Sequence, residues 1–409
     1  MIVPALPGGA GRVVPRVTQE FFPVASGPAN QALAISAGLA RLGIASPVLT
    51  TTPGVDRRVE AAGVSVKRFR PLLVAPHFRP SLALQRHLLH IPASALHIHG
   101  WRNPASDGAI VAARRRGIPI VLQAHGIAYG HRYSRESPLV AGPRRLYDAA
   151  IQRYVTAAAD LVVASTTAEA AELHAYGFPA ERIVVIPIGV DPAFLAERPG
   201  LPARDGLRLL TVGRLSPRRN IEQLIAALAI LRAWGLPARL RVVGPEVRLA
   251  AGEPAGYRRR LEQLAARLGV HDLVTFSGPR YGAELLEEYH AADIFVCATL
   301  YENFGQPIAE AAATGLPIVA TPTGVALDLP PGLSGQALVP FNDPAAMAAA
   351  IGRLHANREQ RLRLGADLRR YAAATFDWRT IVPRFAALYE EVVVMAARGA
   401  NVYHKETSC

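Results

Sequence analysis

From residue 207 onward the chain alternates short leucine-rich or β-branched runs with stretches of helical periodicity: LRLLTV at 207–212, a helical pattern over 220–232, RLRVVG at 239–244 and a second helical pattern over 257–268. That order predicts a parallel sheet covered by helices. In the first helix Ile221, Leu224, Ile225, Leu228 and Leu231 recur at helical spacing, and Asn220 with Gln223 three residues on predicts a capping box. The earlier half repeats the order less cleanly, with a helix expected over 32–42 and extended runs over 46–50, 95–99, 118–124 and 161–165. Two Rossmann-like α/β halves are the economical reading.

The length, 409 residues, favours two or three domains at roughly 150 residues each. Half the residues are hydrophobic and 19% are charged, which excludes wholesale disorder. The stretch 192–206, PAFLAERPGLPARDG, is dense in proline and glycine and suits an exposed connector. The expected division is therefore 1–195, 196–375 and a closing segment 376–409. In that segment Trp378, Ile381, Phe385, Leu388 and Val392 return to helical spacing, as a helix packing back toward the first domain requires.

Net charge is +13, from 45 basic and 32 acidic side chains, and it implies anionic company: phosphates, acidic lipid or nucleic acid. Only Lys67 and Lys405 are lysines. Residues 1–195 hold 20 basic and 11 acidic groups against 25 and 21 in the remainder, so the first half is the more cationic. Arg57 with Arg58, Arg114 with Arg115 and Arg116, and Arg144 with Arg145 suit either an anionic lipid surface or solvated helix ends. Dispersed arginines without interleaved aromatics disfavour nucleic acid as a partner. Cys297 and Cys409 frame no disulfide scaffold, and Cys297, inside an apolar run, reads as a small buried hydrophobe. MIVPALPGGAGRVV at 1–14 lacks the regions of a signal peptide, and no apolar stretch approaches the roughly 20 residues of a membrane span. A cytoplasmic location is expected, with peripheral association at the inner membrane face if the arginines meet lipid.

Two places carry chemistry. After the run 207–212 come Gly213 and Arg214, the loop SPRR, and a helix expected to open at Asn220. Amides at a helix start attract anions, and Arg214 and Arg219 flanking it suit a diphosphate. The second place is TLYENFGQPIAEAAATGLPIVAT at 299–321, after the strand expected over 294–298. Glu302 falls in the loop and Glu310 in the following helix, which Gly315 is expected to end. Carboxylates on two such elements suit two diols of one ligand, and Phe304 with Gly305 permits close backbone approach.

The order GRLSPRRN at 213–220, ENFGQPIAE at 302–310 and GLPIVAT at 315–321 resembles the retaining nucleotide-sugar glycosyltransferases of family 4, group 1. FPVASGPANQAL at 22–33, QAHG at 123–126, IPIGVD at 186–191 and FDWRTIVPRFAALYEEV at 376–392 are similar in turn, so the likeness runs over about residues 16–395. The resemblance implies a GT-B fold, two Rossmann-like domains facing a cleft, with donor nucleotide on the second and acceptor against the first. It implies that Glu310 binds the donor ribose, that Glu302 touches the transferred sugar, and that Arg214 and Arg219 neutralise the diphosphate. His125 then lies near the sugar, Gly213, Asn303, Phe304 and Gly305 line the donor side, and Ser26 and Gly27 belong to the acceptor loop. Three positions depart from the family: Arg219 stands where lysine is usual, Ile188 where asparagine is common, and Ser26-Gly27-Pro28 replaces paired glycines.

What the resemblance implies is transfer of a sugar from a nucleotide-diphosphate donor, with retention, to a glycan or lipid-linked acceptor. None of the twelve aspartates lies two positions from another, so no Asp-x-Asp metal clamp is evident and no cofactor is expected. In the implied mechanism the donor phosphate takes the acceptor proton, ahead of Glu302 as covalent nucleophile. An epimerase acting on sugar nucleotides would share the fold and the donor site. Zinc binding by His97, His99, His125 and His131 lacks a completing ligand spacing. A nicotinamide site at GGAGRVV, 8–14, lacks its third glycine.

Overall fold

The computed structural model describes residues 12–23, 26–54, 59, 62–74, 78–126, 138–197, 206–246 and 256–406. Seven strands form a first sheet: β1 Arg16–Thr18, β2 Val48–Thr50, β3 Val66–Arg68, β4 Leu96–His99, β5 Ile120–Gln123, β6 Leu161–Ala164 and β7 Ile183–Val185. Five form a second: β8 Leu207–Val212, β9 Ala238–Val243, β10 Val274–Phe276, β11 Ile294–Cys297 and β12 Ile318–Ala320. The orders are β3-β2-β1-β4-β5-β6-β7 and β10-β9-β8-β11-β12, and the pairings are parallel. Each sheet therefore winds outward from one central strand and then resumes on that strand's other side. The reversals, between β1 and β4 and between β8 and β11, leave crevices at the carboxyl ends of the strands, where open parallel sheets bind ligands.

Side chains alternate across the first sheet. Ile120 and Leu122 of β5 join one core with Val162 and Ala164 of β6, whereas Val121, Leu161 and Val163 face the other side. That other side is closed by the helix Trp378–Glu406, whose Ile381, Phe385, Leu388 and Val392 are buried against Ile35, Leu39 and those strands. Each such side chain contributes roughly 1.5–3 kcal/mol. The last helix of the chain thus completes the first sheet's core, as its apolar spacing predicted. A separate core surrounds the second sheet.

Some local expectations change. The helix expected at Asn220 is Ile221–Ala233, and Asn220 makes no capping bond to an amide. Its Nδ2 donates instead to Gln223 Oε1 (3.0 Å) and to Asn342 Oδ1 (3.1 Å), and its backbone is left-handed (φ 48°), which turns the side chain away from the helix start. β1, β3, β7, β10 and β12 are three residues each, too short for alternation to announce them.

The ends of β8 and β9 approach so closely that a Cβ on Gly244 (φ 150°) would lie 1.9 Å from the carbonyl oxygen of Gly213. Gly244→Ala is expected to cost on the order of 2–4 kcal/mol, combining backbone strain with displacement of main chain. Urea unfolding of wild type and variant measures it, and a loss below 0.5 kcal/mol, the range of ordinary surface changes, would contradict this close approach.

Candidate active site

β8 hands the chain to Gly213, whose amide donates to the carbonyl of Val243 (2.9 Å). A Cβ at Gly213 (φ 151°) would stand 2.8 Å from Cζ and Nε of Arg219, so the guanidinium rests against this glycine. The single 3-10 turn Pro217–Arg219 folds Arg219 back over the end of β8. Arg214 stays exposed beside it. Leu300 N (2.9 Å) and Thr299 Oγ1 (3.1 Å) donate to the carbonyl of Arg218, which ties the arginine loop to the loop after β11.

That second loop carries Glu302. Its Oε1 lies 2.5 Å from Arg219 Nη1, with 12% of the glutamate side chain and 15% of the arginine side chain exposed. This is an ion contact rather than an in-line hydrogen bond, since Glu302 Oε1 is buried with no donor aligned on it. Asn303 reaches the first sheet: its Nδ2 donates to Ser165 Oγ (3.2 Å), its carbonyl accepts from Thr166 Oγ1 (3.1 Å), and its Oδ1 is buried without a partner. The Phe304 ring is core, edge-on to Phe376 at 5.8 Å, so any part it takes at the donor side is through main chain. Gly305 (φ 87°) caps the helix Gln306–Ala313, and Gly315 (φ 71°) follows its end.

Glu310 lies on that helix and accepts from Tyr289 Oη at 2.8 Å. Desolvation pushes its carboxyl from the ordinary 4.5 up to about 7, against the hydrogen bonds of Tyr289 and Gln306 and with help from the negative charge of Asp191. Arg219, Glu302 and Glu310 therefore stand at the carboxyl ends of β8 and β11, at the reversal of strand order.

On the facing sheet His125 (φ 54°) and Gly126 (φ 75°) follow β5. A Cβ on Gly126 would come 2.9 Å from Cγ of Asn303, so the histidine loop and the Glu302 loop meet. His99 Nδ1 and His125 Nε2 are 2.8 Å apart, and burial lowers His125 to about 3, leaving its imidazole neutral near pH 7. Sequence reasoning missed Glu169, which is 2% exposed and accepts from Gly126 N (2.6 Å), Ser165 N (2.6 Å) and Ser165 Oγ (2.7 Å). Burial pushes this carboxyl up while those donors hold it back. Thr166 caps the helix Thr167–Tyr176 by accepting from Glu169 N (3.1 Å), and the Thr-x-x-Glu spacing was the available signal.

Ser26 Oγ accepts from Ala29 N (3.3 Å) at the start of the helix Gly27–Arg41, and a Cβ at Gly27 would meet open space. Residues 24 and 25 of that loop lie outside the described residues, as do Arg57, Arg58, His131 and residues 8–11, and the side chains of Arg144 and Arg145. Among the described residues no three His, Cys, Asp or Glu side chains are grouped to hold a metal ion, and no helix is long and apolar enough to cross a membrane. His97, His99 and His125 stack on one another instead, with ring centroids 4.6 and 5.1 Å apart. Cys297 is buried, and desolvation pushes its thiol up, away from the thiolate a nucleophile needs.

Glu310 makes a stability prediction. Its folded-state value of about 7 lies above the ordinary 4.5, so the folded chain holds that proton more tightly. The resulting stabilisation is complete below the unfolded value and is lost as pH rises through the folded one. Glu310→Gln, which keeps an acceptor for Tyr289, is expected to exceed wild type by about 1–3 kcal/mol at pH 8, with the gap closing toward pH 5. Urea midpoints across that range test this, and a gap independent of pH would contradict it.

Two family models match the chain: glycosyl transferases group 1 over residues 206–357 and the glycosyl transferase 4-like domain over 26–189. D-inositol 3-phosphate glycosyltransferase of Geodermatophilus obscurus is 34% identical over 357 residues, covering 84% of this chain and 77% of the relative. The enzyme of that name from Acidothermus cellulolyticus is 34% identical over 319 residues, 73% of this chain and 67% of its own. Among solved structures, a glycosyltransferase from Rickettsia africae superposes with TM-score 0.73 at 15% identity over 94% of this chain and 99% of its own. Anabaena Alr3699/HepE, in complex with UDP and glucose, gives 0.69 at 21% identity over 93% and 100%. Those superpositions establish a GT-B architecture, and on the matched models and the identity to curated relatives the chain belongs to the group 1 glycosyl transferases.

Proposed function

We propose that this glycosyltransferase moves a hexosyl group from a nucleotide-diphosphate donor to an acceptor hydroxyl, with retention of anomeric configuration and without a metal ion. The observation that carries the reading is the ion contact of Arg219 with Glu302 at the reversal between β8 and β11, with the desolvated Glu310 on the helix after β11 bonded to Tyr289, whose hydroxyl also feels the charge of Arg219. Glu310 accepts two hydrogen bonds from the ribose diol, and the bound ligand favours its ionised form. Arg219 and Arg214 take the charge of the leaving diphosphate, the task a metal performs elsewhere. Glu302 orients Arg219 and contacts the sugar. The leaving phosphate takes the proton of the acceptor hydroxyl on the face from which it departs, so configuration is kept. His125, neutral, lies on the acceptor side of the sugar, with Ser26 and Gly27 bordering the acceptor.

The expected acceptor is a glycan or lipid-linked glycan. The names of the curated relatives favour a second one, inositol 3-phosphate, whose negative charge suits the more cationic first half. Incubating the protein with UDP-, GDP- and ADP-sugars in EDTA, with and without each acceptor, is expected to give one donor that raises the melting temperature and is consumed. The product should keep the donor's anomeric configuration by NMR. No response to any donor would overturn the reading, and activity lost in EDTA but restored by Mn²⁺ would overturn its metal-free part.

Peripheral membrane association at the cytoplasmic face belongs to the same proposal. Residues 62–116 carry nine basic side chains and one acidic one, and beside them Leu72, Leu73, Val74, Phe78 and Leu82 are exposed. Apolar side chains framed by arginines suit an anionic bilayer. The protein is expected to sediment with anionic vesicles at low salt and not with neutral ones. Equal partitioning between the two would remove the membrane from the proposal.

A further inference from the structure

Arg16, on β1, is fully buried, and among the described residues its hydrogen-bond partners include no carboxylate. A buried guanidinium without a counter-charge costs several kcal/mol, so its partners call for an account. Its Nε donates to Ser46 Oγ (3.0 Å) and its Nη2 to Tyr389 Oη (2.6 Å) on the last helix. The two hydrogens of Nη1 go to His97 Nδ1 (3.1 Å) and His99 Nε2 (3.4 Å).

Arginine only donates, so the two ring nitrogens it meets are acceptors. Tyr389, whose oxygen accepts from Arg16, donates its own hydrogen to His97 Nδ1 at 2.7 Å. His97 Nδ1 is an acceptor, so the ring carries its proton on Nε2 and donates it to Gln123 Oε1 (3.1 Å). His99 Nε2 accepts from Arg16, so His99 is protonated on Nδ1 and donates to His125 Nε2 (2.8 Å). His125 must then hold its single proton on Nδ1. The fixed positive charge opposes a second proton on the nearest rings, and burial opposes it on all three, each of which is lowered from its ordinary value.

We propose that Arg16 is a positioning residue: by donating to His99 it fixes the tautomer of His125, so that His125 offers an Nδ1–H donor, and never a basic nitrogen, to the cleft. The proposal rests on the reading above in which His125 borders the sugar. It assigns that histidine the work of binding a sugar hydroxyl oxygen and denies it that of a general base. Its Nε2, the other candidate for accepting a proton, is already occupied by His99.

Long-range ¹H–¹⁵N NMR of the full-length protein at pH 7, with His125 assigned by its variant, reads the tautomer directly and without substrate. Wild type is expected to show a protonated Nδ1 and an unprotonated Nε2. His99→Phe keeps a stacked ring and removes the donor, so both tautomers of His125 should appear, with kcat lowered about three- to tenfold, the worth of one net hydrogen bond. Arg16→Met should have the same spectral effect, and His99→Phe keeps the test sound if Arg16→Met fails to fold. His125→Asn, whose amide nitrogen approximates Nδ1, should retain more activity than His125→Gln, whose amide approximates Nε2. A proton on Nε2 in the wild type, or an unchanged His125 spectrum in His99→Phe, would overturn the relay. If the spectra behave as expected but His125→Ala turns over like wild type, the relay stands and the sugar-facing assignment of His125 fails.

Discussion

Reversal of strand order is the constraint on which the rest depends. When β8 winds outward through β9 and β10 and the chain returns on its other side as β11, the loops after β8 and β11 are carried in opposite directions from neighbouring strands. The gap they leave is open at the carboxyl ends of the strands, and both loops must project into it. One supplies Arg214 and Arg219, the other Glu302, and the helix after the second supplies Glu310. The first sheet repeats the arrangement between β1 and β4, and from its neighbouring strand β5 it sends His125 and Gly126 against Asn303. The two lobes meet through side chains of these loops, as in the bonds of Ser165 and Thr166 to Asn303.

The site holds several groups that folding alone would not keep. Glu310 is desolvated until its carboxyl titrates near 7, Glu169 is buried with its affinity for a proton raised, and Arg16 is sealed from water with no acid in hydrogen-bonding reach among the described residues. Each weakens the fold relative to an apolar side chain of similar size, and each is offset differently. Glu169 is offset by three donors from the loops it joins, so it orders Gly126 and Ser165 against each other. Arg16 is offset by imidazoles, a tyrosine and a serine, a neutral shell that can exist only if every ring adopts one tautomer. Glu310 is offset only by the hydrogen bonds of Tyr289 and Gln306 and is left with its carboxyl pushed up to about 7.

Much of this was legible in the sequence because it lies in the longer elements. β8 matched its run residue for residue, and the loop position of Glu302, the helical position of Glu310 and the return of the last helix to the first sheet followed from pattern and resemblance together. The relay was not legible. β1 is three residues long and begins with arginine, a composition that argues for a surface loop, and nothing local says that Tyr389 will close over it. His97 and His99 alternate along β4, but the arginine they share lies 81 and 83 positions away, a fact of topology. Asn220 and Gln223 had the spacing of a capping box and bonded to each other instead, because a left-handed residue at a helix start cannot aim its side chain at the following amides.

The preference for arginine over lysine acquires a structural meaning at residue 219. Composition alone explains an arginine there, since 43 of the 45 basic residues are arginine, only Lys67 and Lys405 being lysine. Yet Arg219 performs two tasks with one rigid plane: Nη1 meets Glu302 while Cζ and Nε lie against Gly213, close enough that a Cβ would collide with them. An ammonium on a flexible stem is a point charge and can satisfy the carboxylate, but it has no second edge to lay along the glycine. The glycine, the arginine and the glutamate therefore form one mutually dependent set. A lysine at 219 would keep the charge beside Glu302 while releasing the end of β8 that the guanidinium now covers.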